Sequence, residues 1–277
     1  MIAEGRRFDT GKLVIYLLVS LFASLSLFPF YWSALLATQD TRSIMGMSLR
    51  FGSHLLENYR GLEQQVPFTR SLLNTLYVTA MATLTSVLVS AAAGYAFSVY
   101  QFKGKKVLFT TLMLTMMVPS VVNLVPYFFV IKSVGLLDQF AAVWLPAGVN
   151  IFGIFLVRQY VSSSLPSEIL DSARMDGLNE LQIFLRIGLP LMRPALLTVA
   201  IVVVVDTWNN FMLPLVALQS PDKQILQLVL RSLSGATATP WNLVMTGSFL
   251  AIVPLLIAFI FSSKQMMESL TRGAVKG

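Results

Sequence analysis

Six stretches of this chain are long and apolar enough to cross a lipid bilayer: residues 13–37, 72–100, 107–131, 141–161, 192–218 and 243–263. A helix needs about 20 largely apolar residues to cover the hydrocarbon core. Inside lipid, every backbone N–H and C=O must be satisfied within the segment or a closed barrel. These two conditions predict an all-α integral membrane protein with six transmembrane helices. Composition supports the same solvent: 56% of the 277 residues are hydrophobic and 12% are charged, about half the charge of a soluble domain. So little polar surface cannot coat a globule in water.

The apolar run from Leu13 to Ala37 exceeds the core of about 7–15 residues found in a secretory signal, so it reads as a retained helix behind a polar N-terminus, residues 1–12. The segment 72–100 is the least apolar and carries a stripe of small residues, Thr79, Thr83, Ser86, Ser90 and Gly94. Such a stripe lets helices approach closely in lipid. Between spans, residues 38–71 and 219–242 read as loops, residues 101–106 and 132–140 as short turns, and 162–191 as a polar amphipathic segment of helical character. Basic residues concentrate at Arg6, Arg7 and Lys12, at Lys103, Lys105 and Lys106, from Arg158 to Arg193, and from Lys264 to Lys276. By the excess of Lys and Arg on cytoplasmic loops, both termini are expected inside. The domain reading is therefore a cytoplasmic N-terminus 1–12, a transmembrane domain 13–263 and a cytoplasmic tail 264–277.

Several functions are excluded or disfavoured. With no cysteine and only His54, disulfides, thiolate metal sites, cysteine nucleophiles and a histidine metal cluster are impossible. The net charge of +7 does not point to nucleic acid, because the cations sit at span ends and not in a patch interleaved with aromatics. The phosphate loop Gly-x-x-x-x-Gly-Lys-Ser/Thr is missing, so the chain is not expected to hydrolyse ATP, nor to be an enzyme of another kind. No internal repeat of the sort common in secondary transporters is evident.

The most informative stretch runs from Leu165 to Pro194. Ser167 is a capping residue with Glu168 in the first turn, beside the positive end of the helix dipole. Ile169, Ala173 and Met175 give a partly apolar face, whereas Glu168, Asp171 and Arg174 bring charge. Gly177 is suited to a left-handed helix stop. A second short helix is expected from Asn179 to Ile187, apolar through Leu181, Phe184, Leu185 and Leu189, and ended by Pro190. On these residues alone, two short helices on the cytoplasmic face are also compatible with an amphipathic segment lying on lipid.

The spacing Asp171-Ser172-Ala173, Gly177, Ile187, Leu189-Pro190 resembles the Glu-Ala-Ala coupling loop of ABC-importer permeases, with Asp replacing Glu and Ser replacing the first Ala. Further elements resemble that family: Asn58-Tyr59, Ser71 to Thr75, Ala92 to Lys106, Met117-Val118-Pro119 with Pro126, Trp208-Asn209-Asn210-Phe211 with Pro214, and the tail Leu270 to Gly277. The last two are similar to the maltose-type, oligosaccharide branch. The resemblance implies a type I importer permease that translocates a sugar or oligosaccharide across the bacterial inner membrane. It implies pairing with a sister permease and two ATPase subunits, with ATP and magnesium bound by those partners and no cofactor in this chain. It also implies sugar delivery by an extracytoplasmic solute-binding protein. Glu168, Asp171, Ser172, Ala173, Arg174, Met175, Asp176 and Gly177 then form the ATPase-coupling set, with Asp171 and Arg174 in polar contacts and Ala173 and Met175 packing against the partner.

The expected sugar path uses polar groups within spans. Asp206, Trp208, Asn209 and Asn210 fall in the fifth apolar stretch; Asn123 and Asn150 lie in the third and fourth. An intramembrane carboxylate is costly and usually faces a cavity or a partner. Helix contact is the competing role for the asparagines and a subunit interface for Trp208. Pro119, Pro126 and Pro146 are read as bends, and Trp32, Trp144 and Trp241 as interfacial anchors. A glycerol-phosphate or polyol cargo is the alternative within the family, disfavoured for phosphate by the lack of a cation deep in a span. A proton-coupled secondary transporter would need a titratable relay beyond Asp206, and a membrane-embedded enzyme would need clustered His, Asp or Glu.

Overall fold

The computed structural model describes residues 10–235 and 239–274, with side chains from 11 to 235 and from 239 to 261. Arg6 and Arg7, and the end of the tail at 275–277, lie outside the described residues, as do the side chains of Lys264 and Arg272. All regular structure among the described residues is helical. The helices are α1 Thr10–Ala37, α2 Thr41–Met45, α3 Leu55–Gln65, α4 Phe68–Val99, α5 Lys105–Thr115, α6 Leu124–Ser133, α7 Phe140–Gly148, α8 Ile151–Ser164, α9 Ser167–Met175, α10 Glu180–Ile183, α11 Leu189–Asn209, α12 Met212–Ala217, α13 Leu226–Ser234 and α14 Trp241–Ala274.

Among the described residues, five helical segments meet the length and hydropathy of a membrane span: Gly11–Ala37, Phe68–Val99, Phe140–Ser164, Glu180–Asn209 and Trp241–Phe261. A sixth is a bent pair, Lys105–Thr115 with Ser120–Ser133, at 97° to one another. The third span 107–131, expected as one helix bent at its prolines, is therefore corrected to a broken pair. Pro119 sits at the break, before a short 3-10 turn at Ser120–Asn123; its missing N–H and its steric effect on Val118 stop α5 from continuing. The fifth span is corrected as well. Its helix runs from Glu180 through a π-type turn at Phe184–Gly188 into α11 and ends at Asn209, and does not extend from 192 to 218. Nor does Pro190 end a separate short helix: the wider turn just before it absorbs the proline, the usual place of π turns inside longer helices. The expected loops 38–71 and 219–242 also contain short helices, α2, α3 and α13.

The chain forms two compact units, Met1–Val66 with Ser232–Ile252, and Pro67–Arg231 with Val253–Gly277. In the first, α1 is apolar all round and exposed over most of its length, a pattern that suits lipid or a partner helix. Its C-terminal end is held by a polar knot. Asn58, 3% exposed, donates to the carbonyls of Ala37 and Gln39 and accepts from Asn242 Nδ2, while Thr246 donates to Ala37 O. These bonds satisfy α1's terminal carbonyls, which would otherwise be buried without partners.

In the second unit α4 is the central helix, packed against α7, α8 and α11. The small-residue stripe is what permits this. Thr79, Ser86, Ser90 and Gly94 are buried, and a Cβ at Gly94 would lie 2.6 Å from Cβ of Val157 on α8. Close backbone approach of this kind is the main source of helix association in lipid, where apolar burial supplies no driving force. The core around it includes Ala82, Tyr95, Val157, Ile183, Met192 and Val199.

Away from that core, Asp138 clamps the connection after α12. It adopts a left-handed backbone, φ 59°, and accepts from the backbone N–H groups of Gln219 and Ser220, the Ser220 hydroxyl and Lys223 Nζ. The Ser220 bonds above all hold its carboxyl well below the usual carboxylate range. A carboxylate depressed in the folded state contributes stability above its ordinary pKa of about 4 and loses it as pH falls towards the folded value. Asp138→Asn, which tolerates the same backbone, is expected to lower the melting temperature at pH 7 and to flatten the acid side of the stability profile. Melting curves from pH 7 to pH 3 check this; parallel profiles for the two proteins would contradict it.

Candidate coupling loop and translocation path

The loop between α8 and α11 folds as a short helical hairpin. Pro166 precedes α9 and sets its start, Glu168 lies in the first turn, and Arg174 in the last, which matches both ends of the helix dipole. The helix ends at Gly177, whose φ of +83° is left-handed. Gly177 N donates to Arg174 O and Leu178 N to Ala173 O, satisfying the orphan carbonyls of the last turn. Asn179 then caps α10 in a reciprocal box with Gln182. The hairpin is thus stopped and restarted by local chemistry within three residues, and its angle is set by the backbone.

What anchors it is apolar. Leu170 and Ala173 of α9 and Ile183 of α10 are 6%, 5% and 0% exposed and join the α4–α8–α11 core. Each fully buried large side chain contributes about 1.5–3 kcal/mol. Ala173, expected to pack against a partner, is turned inward and supports the hairpin instead. The opposite face is open: Met175 is 88% exposed, Ile169 45% and Leu181 66%. Leu181 and Leu185, expected on the apolar inner side of the second helix, are exposed, and Ile183 and Phe184 take that side. The π turn that carries α10 into α11 rotates which residues face the core.

Polar contacts hold the two short helices at the angle that the backbone turn sets. Arg174 donates to Asp171 through Nη1 and to Glu180 through Nε, both at 2.8 Å. Tyr100, just past the end of α4, donates to the other oxygen of Glu180 at 2.9 Å. Burial, then the bond to Glu180, pushes the Tyr100 phenol up to about 12, so it stays a donor at any physiological pH. The Glu180 carboxylate raises Arg174 further above its ordinary range. Pairs this exposed are each worth less than about 1 kcal/mol; their role is directional. Tyr100 and Glu180 were not legible as site residues, since each is unexceptional by itself and they are 80 positions apart. Ser172 donates to Glu168 O within the helix, and Glu168, Asp171 and Asp176 are exposed.

The other predicted set is distributed. Asp206 and Asn209 are exposed at the end of α11, where Asn209 donates to Val205 O. Trp208 is 3% exposed and turned inward. Asn210 accepts from Leu213 N at the start of α12. These residues therefore mark the end of the fifth span and not its middle. Asn123 is exposed beside the 97° bend, and Asn150 spends its side-chain oxygen capping α8 at Gly153 N. Among the described residues no group of three or more His, Asp or Glu is arranged to hold a metal.

Long apolar helices, a broken third span and a short helical hairpin anchored in the bundle define a multi-pass membrane protein of the permease class. Residues 83–276 match the family of binding-protein-dependent transport system inner membrane components, and the chain belongs to that family. It is 35% identical to the lactose transport system permease protein LacG of Rhizobium radiobacter, over 95% of this chain and 96% of the relative. It is 32% identical to the arabinooligosaccharides transport system permease protein AraQ of Bacillus subtilis, over the full length of both. Among solved structures, a chain of a bacterial ABC transporter involved in the import of the acidic polysaccharide alginate superimposes with a TM-score of 0.79 at 22% identity, covering 95% of this chain and 99% of that one. It shares the fold. The chain is therefore a permease subunit of an ABC importer, as the coupling-loop spacing implied.

Proposed function

We propose that this chain forms half of the membrane pathway of an importer for a neutral sugar or oligosaccharide, that a sister permease supplies the other half, and that the α9–α10 hairpin docks on an ATPase subunit. ATP and magnesium are bound by two such ATPases, and an extracytoplasmic binding protein delivers the sugar. Both termini face the cytoplasm in this reading, as the Lys and Arg distribution favours. The observation that carries the proposal is the hairpin itself. It is anchored by buried Leu170, Ala173 and Ile183, it exposes Ile169, Met175 and Leu181, and it is continuous with α11. A push on its tip is transmitted to a whole span, the requirement for rocking between outward- and inward-facing states.

At the far end of that same helix, Asp206 and Asn209 offer hydrogen-bonding groups, with Trp208, Asn210, Asn123 and Asn150 shaping the path. The cargoes for which the two sequence relatives are named, lactose and arabino-oligosaccharides, make neutral sugars the first candidates. Uptake of labelled lactose, arabino-oligosaccharide and glycerol 3-phosphate in cells with and without the gene tests the reading. Loss of uptake of a neutral sugar, with residual uptake blocked by ATP depletion, is expected. Uptake that survives ATP depletion and collapses with a protonophore would overturn it in favour of a proton-coupled carrier.

A further inference from the structure

Where α4 ends and α5 begins, the second unit forms a cavity of about 520 Å³ whose lining carries three cations, Lys105, Lys106 and Arg158, and no carboxylate. A pocket that collects like charges without a counter-charge stores repulsion, which an anion relieves. Arg158 is the most telling member. It lies on α8, inside the apolar span Phe140–Ser164, it is half-buried, and its guanidinium stacks 4.0 Å from the centre of the Phe109 ring. It forms no ion pair with any described residue. Cations in a span ordinarily find a partner or line a functional cavity. The ring holds the guanidinium in place, and its N–H groups have no hydrogen-bond partner among the described residues, which leaves the fork free for a phosphate.

Lys105 is positioned at the end of α4, donating to Tyr100 O at 2.7 Å. Lys106 is exposed and unpaired among the described residues. The start of α5 has no side-chain cap, so its dipole adds to the same field. Gln101 and Thr110 supply neutral hydrogen-bonding groups.

Depth decides the anion. The cavity sits at the first turn of the apolar pair 105–133, the level at which a membrane span meets the headgroups. Beside it, Val107 and Leu108 are 70% and 53% exposed, so the surface next to the pocket is apolar and suited to acyl chains. We infer that this cavity binds the phosphate of an anionic phospholipid, with Arg158, Lys105 and Lys106 around the phosphate and the acyl chains along α5. Basic pockets between helices at this level recognise anionic headgroups. On the proposed topology the site faces the cytoplasmic leaflet, on the same side as the α9–α10 hairpin.

The test uses the intact importer purified in mild detergent. Thermal stability and retained lipid, by native mass spectrometry, are measured with phosphatidylglycerol, phosphatidylcholine or inorganic phosphate added. Wild type is expected to retain phosphatidylglycerol and to be stabilised by it, with phosphatidylcholine and inorganic phosphate without effect. Arg158→Gln should weaken retention at least tenfold and Arg158→Lys less. Lys106→Gln, at an exposed position that leaves the fold intact, should weaken it several-fold. Equal stabilisation by phosphatidylcholine, or by inorganic phosphate alone, would overturn the lipid assignment. So would undiminished phosphatidylglycerol retention in both Arg158→Gln and Lys106→Gln, or loss of an ATPase subunit from these variants with no change in lipid, which would make the pocket a protein contact.

Discussion

Replacing Gly177 with valine is expected to leave the chain in the membrane at its normal level and to reduce transport at least tenfold. Gly177 holds φ +83° with nothing within 4 Å of where a Cβ would stand. The substitution therefore meets no steric obstacle from neighbours, and its whole effect comes through the backbone. A left-handed residue costs an ordinary side chain about 1–2 kcal/mol, and a β-branched one more. That strain lies at the turn between α9 and α10, where relief requires breaking the bonds from Gly177 N to Arg174 O and from Leu178 N to Ala173 O. Once the turn relaxes, Arg174 and Glu180 lose their 2.8 Å contact and the exposed face of α9 points elsewhere. The buried anchors, Leu170 and Ile183, remain, which is why the protein persists while the lever is misdirected. Gly177→Asn is the control, because asparagine tolerates the left-handed region. Transport should survive in it. Equal loss in the valine and asparagine variants would show that the space beyond Gly177, and not its conformation, is what matters.

Gly188→Leu has the opposite signature: it should remove the protein and not merely its activity. A Cβ at Gly188 would sit 2.8 Å from Cε2 and 3.2 Å from Cδ2 of Tyr95. Tyr95 cannot retreat. It is 2% exposed, among the largest fully buried side chains, and packs edge-on against Phe184 at 5.1 Å and Tyr100 at 5.9 Å. Overpacking a close-packed site costs about 1–3 kcal/mol for a methylene or two, and a leucine adds more. It also pushes α11 off α4 at the π turn, on which the hairpin depends. The expected result is a sharp fall in membrane-embedded chain and in melting temperature. Tyr95→Ala alone should cost several kcal/mol, as aromatic truncation does, but combined with Gly188→Leu it should cost less than the sum, since the cavity accepts the leucine. A strictly additive pair would deny that the two residues share one space.

What could be read from the sequence and what could not divide along physical lines. Each of five of the six apolar stretches overlaps one span-length helical segment because hydropathy reports solvent, and solvent decides which segments span. The spacing from Asp171 to Gly177 located the hairpin because its stop is local backbone chemistry at one glycine. The bend at Pro119 was legible as a break but not as 97°, since direction depends on what α5 and α6 pack against. The start of the fifth span was missed because Asn179 to Pro190 reads as a separate short amphipathic helix, whereas the π turn at Phe184–Gly188 carries it on into α11. Its end was missed because Asn209 and Asn210 break a helix through geometry that hydropathy ignores. The Arg174–Glu180–Tyr100 contacts, the inward turn of Ala173 and the cation cavity at Arg158 all depend on which helices become neighbours. None has a local signature.

The most direct test of the coupling account exploits the absence of native cysteine. Met175→Cys places the only thiol of the chain at a residue that is 88% exposed on α9, opposite the buried anchors. In membranes carrying the whole importer, a short thiol-to-amine cross-linker should join this chain to an ATPase subunit. A membrane-impermeant thiol reagent, added to inside-out vesicles, should label the introduced thiol rapidly only when the ATPases have been stripped away. Thiol labelling that is indifferent to the ATPases, with no cross-linked product, would contradict the account and leave the hairpin as a segment resting on lipid.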